Sequence, residues 1–185
     1  MKVFLIAGKA RSGKDTLGDF FFSSLEKEGK KVCKMRMATY IYYYATKYFG
    51  WDGKDETKPR ELLQQLGTEI IRKQVDPKFH VKRFIEDVNV LSFFFDYAVI
   101  TDVREPIEIE YPKEHISDVV SISIERPDNT SYNELNSKQQ KHYTELALDN
   151  FDDYDYKVVN DGTLEDLEQK VINILEKEDL YEKDK

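Results

Sequence analysis

The chain has 185 residues, of which 40% are hydrophobic and 35% charged, and a formal net charge of −8. That is enough for one globular domain with a full core. The acidic balance argues against a general nucleic-acid binder, and no apolar run approaches the ~20 residues that cross a bilayer, so small molecules are the expected partners. The single cysteine, Cys33, permits no internal disulfide. In its strand-like setting it reads as a core thiol, and a cytoplasmic location is expected.

Residues 2–7 form the first expected strand. This apolar run ends in a glycine loop, which marks a buried strand and not a signal peptide. Residues 8–16 then read Gly-Lys-Ala-Arg-Ser-Gly-Lys-Asp-Thr. Gly8, Gly13 and Lys14 fit G-x-x-x-x-G-K, the phosphate-binding loop. Glycines let the backbone approach an anion closely, and successive N–H groups at a helix N-terminus form a positive concavity. Gly8, Ala10, Arg11, Ser12, Gly13, Lys14, Asp15 and Thr16 are therefore candidate triphosphate-binding residues. Asp15 stands where Ser or Thr usually holds Mg²⁺. The bland alternative is a Gly/Lys turn without a ligand, and the strand before and amphipathic helix after argue against it.

Residues 13–28 are expected to be helical, with Leu17, Phe20, Phe21 and Leu25 at three- and four-residue spacing and Gly29 as the stop. Residues 31–38 read as a second strand, parallel to the first through a right-handed crossover. In residues 39–56, Tyr40, Tyr44 and Tyr48 fall on one helical face. Such a stripe serves a core or an interface, or offers a ring on which a nucleobase stacks.

Residues 57–75 read as one helix with Pro59 in its first turn. At about 100° per residue, Leu62, Leu63, Leu66 and Ile70 share an apolar arc. Arg60, Gln64, Thr68 and Arg72 share a polar stripe, with Gly67 between the two. The stripe is either a solvated face or a phosphate-and-base reader, since guanidinium forks suit phosphate and a carboxamide suits a base edge. Residues 78–95 read as a further helix carrying Phe84, Ile85, Val88 and Leu91, with His80 at the surface or at the helix start.

Residues 97–102 form the third strand, an apolar run ending in Asp102. This is the shape of a Walker B strand, which delivers a carboxylate where ligands bind in open α/β sheets. The alternative for Asp102 is a helix or loop cap. Arg104 shares its face if the strand geometry persists. Residues 119–125 form strand four. A polar segment follows, in which Arg126, Lys138 and Lys141 are candidate cations of a closing flap. His142 is expected to cap or pack. Residues 156–159 form strand five, Asn160-Asp161-Gly162 turns the chain, and Thr163 caps a last helix with Asp166 three residues on. The charged residues 182–185 are expected to fray.

Four stretches together resemble the P-loop nucleoside monophosphate kinases, and within them the deoxynucleoside monophosphate kinase group. They are the loop at 8–16, Leu63-Gln64-Gln65-Leu66-Gly67-Thr68-Glu69, Asp102-Val103-Arg104, and Asn160-Asp161-Gly162. The resemblance implies an α/β P-loop NTPase fold of three layers, with a five-stranded parallel sheet in the order 2-3-1-4-5. It implies one kinase domain over residues 1–185, with a helical NMP-binding arm at 39–95 and a lid at 126–145.

It also implies transfer of the γ-phosphate of ATP·Mg²⁺ to a (deoxy)nucleoside monophosphate. Lys14, Asp102, Arg104 and Arg126 would be catalytic, and Asp15 and Asp102 would lie at the metal. Asn160 and Gly162 would lie near the adenine, and Arg60, Gln64, Thr68 and Arg72 would hold the acceptor. Glu105 and Ile107 depart from the group, which more often has an aromatic residue and Asn there, and this weakens any role carried over to Glu108. Dephospho-coenzyme A kinases share the late Asn-x-Gly loop, and phosphomevalonate kinases share Ser-Gly-Lys-Asp. A slow nucleotide switch is the non-kinase alternative, though the chain has no Asn-Lys-x-Asp guanine motif. Monomer and homodimer both remain open.

Overall fold

The computed structural model describes residues 1–127 and 146–181. Most of the expected lid, with Lys138, Lys141 and His142, and the charged end at 182–185 lie outside the described residues. Five strands form the sheet: β1 Lys2–Ala7, β2 Val32–Met35, β3 Tyr97–Val103, β4 Val119–Glu125 and β5 Tyr156–Val159. Their order is β2-β3-β1-β4-β5 and every pairing is parallel, as expected.

The strands read as apolar runs because both faces of the sheet are covered. Side chains alternate between the faces. Phe4, Ile6 and Val99 join one cluster with Leu17, Phe21 and Leu25 of α1 (Lys14–Lys27) and Leu167, Val171 and Leu175 of the last helix, α6 (Leu164–Lys177). Val3, Leu5, Ala98 and Ile100 join another with Phe84 and Val88 of α4 (Phe79–Leu91) and Ile109 of α5 (Ile107–His115). Three layers result. In α1 the buried residues recur every four positions, and full burial of each is worth roughly 1.5–3 kcal/mol relative to exposure. Thr163 caps α6 by accepting from the Asp166 N–H, and the Asp166 carboxylate accepts in return from the Thr163 N–H. This is the expected capping box.

Residues 39–91 build an arm with a small core of its own, made of Ile41, Ala45, Leu66 and Ile71. It consists of α2 (Thr39–Phe49), the short α3 (Arg60–Gln64), a π-helix (Gln65–Val75) and α4. The π-helix overturns the single α-helix expected over 57–75. Its bonds run from residue i to i+5, so side chains advance around the axis more slowly than at α pitch. Leu66 and Ile71, five residues apart, are the buried pair, whereas Ile70 of the expected apolar arc is exposed. Gly67 is needed for packing: a Cβ there would stand 2.7 Å from Cδ1 of Ile41.

Two boundaries and one element also differ. β2 stops at Met35 because the backbone of Met37 and Ala38 turns to bond Asp102. α4 stops at Leu91, leaving Phe93 and Phe94 exposed. α5 is an element the sequence did not suggest, because Pro112 stands inside it among charged residues. The tyrosine stripe does run along α2. Tyr40 and Tyr44 both pack on Phe79 of α4, and Tyr48 reaches solvent.

Candidate active site

Residues 8–13 join β1 to α1 at the C-terminal edge of the sheet, where open α/β sheets bind ligands. The loop lies so close to β4 that a Cβ on Gly8 would stand 2.4 Å from the Ile124 carbonyl oxygen. Gly13 has φ +101°, a conformation that side chains rarely adopt, and it caps α1. Lys14 is 7% exposed, and its Nζ donates to the Lys9 carbonyl at 2.7 Å, arching over the loop. Ser12 Oγ is buried and has no hydrogen-bond partner among the described residues. A left-handed glycine at the helix N-terminus, an ammonium folded back onto the loop and an unsatisfied buried hydroxyl fit a phosphate chain.

The loop is braced from two sides. Asn160, just beyond β5, donates from Nδ2 to the Ser12 carbonyl at 3.0 Å, while its own N–H bonds Glu125 O at 2.7 Å. Asn160 therefore meets the loop backbone, whereas the resemblance puts it near an adenine. Gly162 packs on the capping carboxylate of Asp166. On the other side, Thr101 Oγ1 of β3 donates to Asp15 Oδ1 at 2.6 Å.

Asp102, the expected Walker B carboxylate, faces the opposite way from Thr101. Its Oδ1 accepts from the Met37 N–H at 2.9 Å and its Oδ2 from the Ala38 N–H at 3.1 Å. Alternation along β3 puts Thr101 toward α1 and Asp102 toward the arm, where it caps the turn into α2. Burial raises its pKa, opposed by these two amides and then by Arg104 and Arg36. Arg36 is a cation that the sequence reading overlooked. Its signal was position, just past the C-terminal end of β2, and its guanidinium lies 5.2 Å from the centre of the Tyr42 ring.

The polar stripe of the arm does not converge, for the same reason of pitch. Arg60 and Gln64 are exposed, Thr68 is 7% exposed, and Arg72 turns to the body of the molecule. Arg72 Nε lies 3.0 Å from Glu105 Oε1, and its Nη2 donates to Glu108 Oε1 at 2.7 Å. Glu108 Oε2 also accepts from the Arg104 and Glu105 N–H groups. Burial pushes Glu108 up to about 7 against the pull of Arg72, and burial likewise raises Glu105. Glu108 is thus a central residue that the sequence reading set aside, because its neighbours depart from the resembled pattern.

His80 opens α4, as one expectation had it, but it is 2% exposed and not at the surface. Burial, then the charge of Arg72, lowers its pKa to about 4. Arg126 is exposed directly after β4. Among the described residues no group of three or more His, Cys, Asp or Glu side chains is placed to hold a metal ion. Among the same residues no helix is long and apolar enough to cross a membrane.

A five-stranded parallel sheet of this order, with a glycine loop between β1 and α1, defines a P-loop protein of the kinase fold. It is similar to an APS kinase of Mycobacterium tuberculosis (TM-score 0.55, 12% identity, covering 95% of this chain and 96% of that one). It is also similar to the shikimate kinase of Aquifex aeolicus (TM-score 0.53, 16% identity, covering 98% of this chain and all of that one). At these identities the likeness is one of fold.

The sequence model of the deoxynucleotide monophosphate kinases matches residues 24–171, and the chain belongs to that family. The deoxynucleotide monophosphate kinase of Escherichia phage RB69 is 31% identical over 117 residues, 63% of this chain and 44% of the relative. That of Enterobacteria phage T4 is 31% identical over 123 residues, 66% of this chain and 47% of the relative. The matches thus span under half the length of either phage protein. The phosphate loop itself lies before the matched family span.

Proposed function

We propose that this protein transfers the γ-phosphoryl group of ATP, taken as its Mg²⁺ complex, to the phosphate of a deoxynucleoside monophosphate. The observation that carries the reading is the loop at 8–16, where Lys14 folds back onto the Lys9 carbonyl, Asn160 ties down the Ser12 carbonyl and Thr101 holds Asp15. Membership in the deoxynucleotide monophosphate kinase family supports the choice of acceptor. The reading takes the chain as one kinase domain, with residues 39–95 as the acceptor arm. A cytoplasmic setting accords with it.

The acceptor's nucleophile is already an anionic phosphate oxygen, so no strong general base is required. Position and charge neutralisation carry the catalysis. The loop amides and Lys14 hold the β- and γ-phosphates and steady the charge that develops on the migrating group. Asp15 and the neighbouring hydroxyls are hard oxygen donors of the kind Mg²⁺ accepts. When bound there, the metal neutralises phosphate charge. Asn160 fixes the peptide between Ser12 and Gly13. Arg104, Arg126 and Arg36 are the cations that hold acceptor or migrating phosphate, and Arg60 and Gln64 face solvent along the arm, where an acceptor would approach.

The test is ADP release from ATP and Mg²⁺ with each common deoxynucleoside and ribonucleoside monophosphate supplied separately. Stimulation by one or a few deoxynucleotides is expected. Release at the basal rate with all of them overturns the reading.

A further inference from the structure

We propose that Thr101, and not Asp102, is the residue through which β3 serves the phosphate loop, its hydroxyl holding the Asp15 carboxylate in place to receive a divalent cation. The inference rests on the kinase reading, because that cation arrives with the nucleotide. Three observations carry it. Thr101 Oγ1 donates to Asp15 Oδ1 at 2.6 Å, which leaves Oδ2 as the oxygen to meet a hard cation. The methyl of Thr101 packs against α1: a Cβ on Gly18 would stand 2.3 Å from it, so helix and strand approach closely here. With the methyl lodged against Gly18, the hydroxyl is directed by packing and not only by its bond.

The third observation is the occupation of Asp102. Both of its oxygens accept backbone N–H groups, on the opposite face of the sheet, at the entry to the arm. A cation there would compete with the amides that hold α2. The two adjacent residues at the end of β3 therefore divide the work: Thr101 orients the metal-side carboxylate, and Asp102 anchors the arm. Thr101 is a positioning residue, and such partners typically govern metal affinity by about 10–100-fold.

The experiment titrates mant-ADP fluorescence with excess Mg²⁺ and with EDTA, in the wild type and in Thr101→Val, Thr101→Ser and Asp102→Asn. Thr101→Val keeps the methyl and loses the hydroxyl; it should lose about 10–100-fold of the tightening that Mg²⁺ confers, with binding in EDTA unchanged. Thr101→Ser keeps the hydroxyl without the methyl that directs it, and should retain more of the Mg²⁺ effect than Thr101→Val. Asp102→Asn should keep the Mg²⁺ effect and unfold at a lower temperature. Thr101→Ala gives the same reading as Thr101→Val if valine prevents folding. Wild-type Mg²⁺ dependence in Thr101→Val, or its loss in Asp102→Asn, overturns the inference and leaves the kinase reading standing. A wild type whose nucleotide binding ignores Mg²⁺ also overturns the inference alone, and one that binds no nucleotide under either condition overturns the kinase reading as well.

Discussion

The carboxamide of Asn160 donates to the carbonyl oxygen of Ser12 at 3.0 Å, joining the end of β5 to a loop 148 residues earlier. The same side chain fills the space beside Gly13, where a Cβ would stand 2.6 Å from Nδ2. A peptide whose carbonyl is tied down presents its N–H groups in a fixed direction, and that is what a phosphate cradle requires.

Replacing Asn160 should therefore act on nucleotide binding more than on the fold. Asn160→Ala removes one hydrogen bond, worth about 0.5–1.5 kcal/mol, and should raise the KM for ATP by several-fold. Asn160→Asp sets a carboxylate against a carbonyl oxygen and beside the phosphates, and should raise KM more than alanine does. Steady-state kinetics with ATP varied check the order. Equal KM values in all three proteins would remove Asn160 from the cradle.

Lys14 arches over the loop to the Lys9 carbonyl and is 7% exposed. Lys14→Met keeps the length of the chain and its apolar stem but not its charge. Turnover should fall by at least about a hundredfold, the scale of losing a group aimed at developing charge. The far-ultraviolet spectrum and thermal midpoint should stay close to the wild type. Retained turnover would mean that the ammonium plays no part in the chemistry.

Much of this architecture was legible beforehand. Phe4 and Ile6 against Val3 and Leu5, and Leu17, Phe21 and Leu25 along α1, carry the periods of their elements in the sequence itself. Thr163 and Asp166 carry their capping chemistry within four residues. What was not legible depends on partners distant in the chain. The burial of Glu108 is eased by Arg72, 36 residues earlier, which reaches its carboxylate. The π pitch of residues 65–75 moves Arg72 inward and Ile70 outward, and nothing in the apolar spacing distinguishes that pitch from an α-helix. Asp102 carries a Walker B position in sequence, yet one step of alternation assigns the loop side of β3 to Thr101.

The Arg72 site makes a stability prediction that separates an internal ion pair from a substrate clamp. The side chains of Arg72, Glu105 and Glu108 are 14%, 8% and 2% exposed. Arg72→Met leaves two buried carboxyl groups without a cation. Breaking a buried pair in this way costs about 3–5 kcal/mol. Combining Arg72→Met with Glu108→Gln should recover part of that loss, because the second change removes one of the stranded charges. Urea midpoints measure both. An Arg72→Met protein as stable as the wild type would return Arg72 to the list of free phosphate ligands.

His80 supplies the last prediction, a dependence on pH. Its pKa is lowered from 6.5 to about 4, first by burial and then by the charge of Arg72. The folded state thus binds fewer protons than the unfolded chain between those values. Its contribution to stability is complete above about pH 6.5 and is lost as the pH falls toward 4. At pH 5 the loss is roughly 2 kcal/mol, on the scale of 1.36 kcal/mol per pKa unit. Glu108, raised to about 7, works in the opposite sense: its contribution is complete below about 4.5 and is lost as the pH rises through 7. The net curve of the wild type mixes the two, so the informative quantity is a difference between proteins. His80→Leu conserves volume and cannot be protonated. Its stability relative to the wild type should improve by roughly 2 kcal/mol between pH 8 and pH 5. Urea denaturation of both proteins at the two pH values measures this, and a difference that does not change with pH would show that His80 is not held neutral by the fold.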